Sequence, residues 1–157
     1  MSDYADALAV MQRLCSAREY CSSDMHKKLN KFDITPKERA QIIKSLEQDG
    51  FLDDRRYARA FVKDKSALSG WGPSKIKWQL KSRGIEGEII DEAMSEVTLE
   101  FQDEKLFSLL SKKKETLKDD DLRKMREKLI RFSLSRGFEY EATLRVLNRI
   151  ISKFADN

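Results

Sequence analysis

Apolar residues return every three or four positions through most of the chain, the spacing of one buried face on a 3.6-residue helix. Tyr4, Ala7, Leu8, Met11, Leu14 and Cys15 predict a first helix over residues 4–18. Ser22-Ser23-Asp24 offers capping oxygens to a second, with Met25, Leu29 and Phe32 as its stripe. Thr35, Pro36 and Glu38 carry the signature of a capping box with proline at the first helical position. On the helix they open, Ala40, Ile43 and Leu46 are expected to face inward with Ile42 at the edge, and Gly50 ends it.

The pattern then begins again. Asp53 or Asp54 caps a helix whose expected buried face is Tyr57, Ala58, Phe61 and Val62. The turn Gly70-Trp71-Gly72-Pro73 redirects the chain into a helix with Ile76 and Leu80 inward, stopped by Gly84. Ile89, Ile90, Ala93, Met94 and Val97 mark another over residues 86–97. Beyond Phe101, a helix carrying Leu106, Phe107, Leu109 and Leu110 runs into Lys112-Lys113-Lys114. Asp119-Asp120-Asp121 is expected to cap a long helix with Leu122, Met125, Leu129, Ile130 and Phe132. Gly137 stops it, and Tyr140, Leu144, Leu147, Ile150 and Ile151 line the last. No segment alternates with the two-residue period of a strand, so the predicted class is all-α.

These helices fall into three sets that overlay. Met25-His-Lys-Lys-Leu29 with Asp33-Ile34 matches Ile76-Lys-Trp-Gln-Leu80 with Gly84-Ile85, 51 positions on. Arg83-Gly84-Ile85-Glu86 matches Arg136-Gly137-Phe138-Glu139, 53 positions on. The third set is the loosest, because Ser133 stands where the second has Leu80. A period near 51 predicts three tandem three-helix, helix-turn-helix-like repeats over 1–51, 52–99 and 100–157. Stacked side by side, helices of roughly 22 Å would form an elongated, curved array.

Charge changes this picture by singling out the middle repeat. Between positions 55 and 83 stand Arg55, Arg56, Arg59, Lys63, Lys65, Lys75, Lys77, Lys81 and Arg83 against Asp64 alone; nine minus one is +8, whereas the whole chain is +4. One sign concentrated in one segment produces a field that attracts a polyanion or an acidic protein surface. Arg56, Arg59 and Lys63 are expected to form a basic strip opposite the apolar face, with no acid interleaved to neutralise them. Trp78, beside Lys77 and Lys81, is placed for stacking or cation–π contact. Trp71, in its glycine-flanked turn, serves equally well to staple two helices or to touch a partner. Lys112–Lys114, close to Glu115 and three aspartates, reads as a solvated face.

Catalytic chemistry finds little support. Gly70-x-Gly72 lacks the third glycine and the strand of a dinucleotide fingerprint, and no phosphate-loop pattern occurs. A single histidine, His26, leaves little room for a triad or a histidine general base, and Cys15, Cys21 and His26 do not have zinc-site spacing. The aspartate pairs stand where helix caps belong. Neither an enzyme, a metal nor a cofactor is expected. Cys15 and Cys21 are expected as reduced thiols near helix surfaces, in a cytoplasmic chain without a membrane or secretory segment.

Gly50-Phe-Leu-Asp-Asp-Arg-Arg-Tyr-Ala-Arg-Ala-Phe-Val, then Gly72-Pro-x-Lys75-Ile76, then Leu80-Lys-Ser-Arg-Gly84-Ile85 resembles the RecX family of bacterial recombination regulators. The weaker Arg136-Gly137-Phe138-Glu139-Tyr140 extends the resemblance over essentially the whole chain. It implies three three-helix repeats and a monomer that binds the RecA nucleoprotein filament. It also implies inhibition of RecA's ATPase, strand exchange and co-protease activities, with weak nonspecific affinity for DNA. The residues expected to meet filament or DNA are Arg55, Arg56, Arg59, Lys63, Lys75, Lys77, Trp78, Lys81 and Arg83. The alternative is a stand-alone, sequence-nonspecific DNA-binding helical module.

Overall fold

The computed structural model describes residues 2–118 and 121–155, with side chains described up to residue 152. Among the described residues there are nine helices and no strand. They are α1 (Tyr4–Ala17), α2 (Ser22–Leu29), α3 (Pro36–Gln48), α4 (Asp54–Ala67), α5 (Pro73–Ser82), α6 (Gly87–Met94), α7 (Leu99–Thr116), α8 (Leu122–Ser135) and α9 (Tyr140–Ala155). The fold is all-α, as the periodicity requires. No helix among the described residues is long and apolar enough to cross a membrane. The chain divides into two compact units, Met1–Ala60 with Leu80–Ile90, and Phe61–Gln79 with Asp91–Asn157. The division passes through α4, α5 and α6.

In the first unit α1 and α2 pack on α3. Met11, Met25, Leu29, Ile42 and Leu46 are fully buried at its centre, each stabilising the fold by roughly 1.5–3 kcal/mol. The Thr35 box forms as its sequence demands: Glu38 N donates to Thr35 Oγ1 at 3.1 Å, and Thr35 N donates to Glu38 Oε1 at 3.0 Å. Three expectations need correction here. Ile42, not Ala40, is central on α3: Ile42 is fully buried and Ala40 exposed, while the neighbouring Arg39 donates to His26 O and Asn30 Oδ1 at 2.6 and 2.8 Å. The cap of α2 is Cys21 rather than a serine, with Asp24 Oδ2 accepting from Cys21 N at 3.2 Å. Both cysteines are buried, and desolvation pushes both thiols up.

In the second unit α7, α8 and α9 pack on one another. Leu106, Leu110, Leu129, Val146, Leu147 and Ile150 form the centre. Helix α6 ends at Met94, short of Val97, because Thr98 caps α7 by accepting from Phe101 N at 3.1 Å. Asp121 caps α8, accepting from Arg123 N at 3.0 Å, while Asp119 and Asp120 lie outside the described residues. Leu122, Tyr140 and Ile151 are exposed rather than core. The stripe of α9 runs instead through Thr143, Val146, Leu147 and Ile150. Ser133 is fully buried and shares a 2.7 Å hydrogen bond with Thr143 Oγ1. Thr143 commits its own proton to Glu139 O at 2.8 Å, so Ser133 is the donor. At an offset of 53, Ser133 and Thr143 correspond to Leu80 and Ile90, both buried. The repeat has exchanged two aliphatic side chains for two smaller ones that satisfy each other.

Candidate partner-binding face

The predicted basic residues lie on α4, on α5 and just past its end. Asp53 starts α4: its Oδ1 accepts from Arg55 N at 3.0 Å and Arg56 N at 3.2 Å. Asp54 is used elsewhere, its carboxylate taking Ser22 N at 3.0 Å and the Ser22 hydroxyl. Tyr57, Ala58, Phe61 and Val62 are buried as expected, which turns Arg55, Arg59 and Lys63 outward at one-turn intervals.

Arg56 departs from the expected strip. Its Nε donates to Glu19 Oε1 at 2.8 Å, and Nη2 donates to Gly50 O at 3.1 Å and Phe51 O at 3.4 Å. The Glu19 carboxylate pushes its pKa up, and the guanidinium is spent on tying α4 to the chain before it. Arg83 is also engaged, donating from Nη1 to the Tyr57 hydroxyl. Burial pushes that phenol up, with the arginine acting against it. Lys81 is exposed.

In the second unit the half-buried Trp71 is a staple. Its ring meets Phe61 edge-on, centroids 6.1 Å apart, and its backbone N–H donates to Lys65 O at 2.9 Å. The ammonium groups of Lys65 and Lys75 lie 4.6 and 4.5 Å from its ring centre, contacts worth about 0.5–1 kcal/mol each at such exposure. Lys75 therefore belongs partly to the fold. Lys77 is exposed, and Trp78 is 65% exposed, so its indole is not core.

A backbone clasp that sequence reasoning missed positions the start of α5. Gly72 N donates to Arg136 O at 2.6 Å and Ser74 N to Gly137 O at 2.9 Å. The carbonyls of the turn just past α8 thus satisfy N–H groups before and within the first turn of α5, where intrahelical partners are lacking. Arg136 Nη1 closes the loop on Ser69 O at 3.3 Å. A Cβ on Gly72 would stand 2.3 Å from the Gly137 carbonyl carbon and the Phe138 nitrogen. The second glycine of Gly-Trp-Gly-Pro was the available signal.

Helices in sets of three, with sequence and cores echoed between sets, define an all-helical protein of repeated three-helix domains. A profile for "RecX, second three-helix domain" matches residues 53–94, the segment holding the whole basic cluster. The chain belongs to the RecX family. It is 37% identical over 112 residues to the regulatory protein RecX of Clostridium botulinum (strain Eklund 17B / Type B), covering 70% of this chain and 52% of that one. It is 29% identical over 140 residues to that of Actinobacillus pleuropneumoniae serotype 5b, covering 88% and 87%. The crystal structure of RecX from Lactobacillus salivarius superposes with a TM-score of 0.86 at 24% identity, over 94% of this chain and 96% of that one. A second crystal structure of regulatory protein RecX gives 0.84 at 25% identity, over 93% and 72%. The chain spans about half the length of the clostridial relative.

Proposed function

We propose that this chain is a non-catalytic, cytoplasmic modulator of the RecA recombinase. It acts as an inhibitor, lying as a monomer in the groove of the RecA filament on single-stranded DNA and limiting ATPase, strand exchange and co-protease activity. The observation that carries this reading is the set Arg59, Lys63, Lys77, Trp78 and Lys81. All five are exposed, and none makes a side-chain hydrogen bond or ion pair among the described residues. Cations and an indole left outward by a fold that engages Arg56, Lys75 and Arg83 are available to phosphates and acidic side chains. The repeats at 1–51, 52–99 and 100–157 belong to the same proposal, because linked units that engage together raise affinity without new chemistry.

Trp78 between Lys77 and Lys81 also suits stacking on unpaired bases, which supports the second reading of a nonspecific DNA-binding module. Co-sedimentation with RecA filaments and with naked single-stranded DNA separates the two. The filament reading expects retention on filaments well beyond that on naked DNA. It also expects Lys77→Glu with Lys81→Glu to raise the concentration for half-inhibition of ATPase by about tenfold or more. Equal retention on both would favour the DNA module. A charge-reversed variant that inhibits unchanged would remove α5 from the working face.

A further inference from the structure

The core built by α7, α8 and α9 is open along one side. There α8 and α9 flank a groove of about 490 Å³ with Met125, Leu129, Leu147 and Ile150 in its lining and Leu122 and Ile151 at its edges. Leu122 is 71% exposed and Ile151 42% exposed, so two large aliphatic side chains stand in water beside an apolar trough. Contiguous apolar surface of this kind marks an interaction site.

The charged residues lining this groove are all cations: Lys114, Arg123 and Arg126. Helix α8 as a whole carries Arg123, Lys124, Arg126, Lys128 and Arg131 against Glu127, five minus one or +4. Its one acid lies 3.6 Å from Arg123. The cleft beside Lys77 is different, since its lining includes Asp91, Glu139 and Glu141 with Lys77 and Arg145, both signs together. Single-stranded nucleic acid fits the α8–α9 groove poorly, because the lining is aliphatic and offers no aromatic face to a base.

We propose that this groove docks an acidic amphipathic helix from a protein partner. Its apolar side chains, spaced three and four apart, enter between Leu122 and Ile151, and its carboxylates meet Lys114, Arg123 and Arg126. The surface uses none of the residues assigned to the filament-binding face, so the two can be tested separately.

The test is fluorescence anisotropy of the full chain with a labelled helical peptide of about 16 residues, leucines on one stripe and glutamates elsewhere. A scrambled peptide of the same composition and a lysine-for-glutamate version are the controls. The expected result is binding of the patterned acidic peptide alone, weakening with salt. Leu122→Ser and Arg126→Glu should each reduce affinity about tenfold. Leu122 is exposed, so circular dichroism should show unchanged helix content. The proposal is overturned by equal binding of the scrambled or lysine peptide, by an unaffected Leu122→Ser variant, or by no binding at roughly millimolar peptide. Sedimentation showing a dimer that Leu122→Ser dissociates would give the groove to a second copy. An oligothymidylate or phosphatidylglycerol vesicle whose binding Leu122→Ser abolishes would give it to nucleic acid or lipid, and either result also overturns the proposal.

Discussion

Two turns with nearly the same sequence have been put to different use. Arg83-Gly84-Ile85-Glu86 follows α5 and Arg136-Gly137-Phe138-Glu139 follows α8. Both glycines adopt positive φ, 77° and 94°, to end their helices in the left-handed conformation. Around Gly84 nothing lies within 4 Å of where a Cβ would be, whereas at Gly137 a Cβ would meet Lys75 Cβ at 2.3 Å and Lys75 N at 2.7 Å. The first glycine answers only to its own backbone. The second is also a contact surface, through which α8 holds the start of α5. A repeated motif therefore conserves local geometry while its neighbours decide what depends on it.

The comparison can be broken first at the clasp, where the largest effect is expected. Gly137→Ala combines the left-handed penalty with a backbone collision and should cost about 3 kcal/mol or more, and Gly72→Ala should match it through the collision alone. Gly84→Ala should lose only about 1–2 kcal/mol. Urea unfolding of the three variants checks this, and equal losses at Gly84 and Gly137 would end the distinction.

A smaller effect is expected at the buried hydroxyl pair that replaces Leu80 and Ile90. Thr143→Val strands the Ser133 proton away from water and should cost about 1–3 kcal/mol, while Ser133→Ala removes only a donor and should cost about 1 kcal/mol. The double variant Ser133→Ala with Thr143→Val should fall short of the sum, as residues in one contact do. Strict additivity would mean the hydroxyls act independently.

The arginines before the two glycines should show no such asymmetry. Arg83 reaches the Tyr57 hydroxyl, and Arg136 reaches Ser69 O with its guanidinium 5.2 Å from the Phe132 ring centre. Arg83→Met and Arg136→Met should each cost about 1 kcal/mol. A much larger loss at Arg136 would place the strength of the clasp in its side chain and not in its backbone.

Much of this protein was determined by the sequence alone, because the features concerned are local. The 3.6-residue stripes, the Thr35–Glu38 box, the cap at Asp53 and the glycine stops at Gly50, Gly84 and Gly137 all involve residues within a few positions of one another. The buried faces of α4 and α5 were legible for the same reason. What each charge does was decided elsewhere. Counting along residues 55–83 made Arg56 a free cation, but Glu19, 37 positions earlier, takes it. Lys75 was drawn to Trp71 by the fold of the turn, and Ser133, an anomaly in the repeat, became sound once Thr143 stood beside it. Periodicity specifies which side of a helix faces inward. It carries no information about which distant side chain, carbonyl or glycine will be waiting there, and that was settled only by tertiary packing.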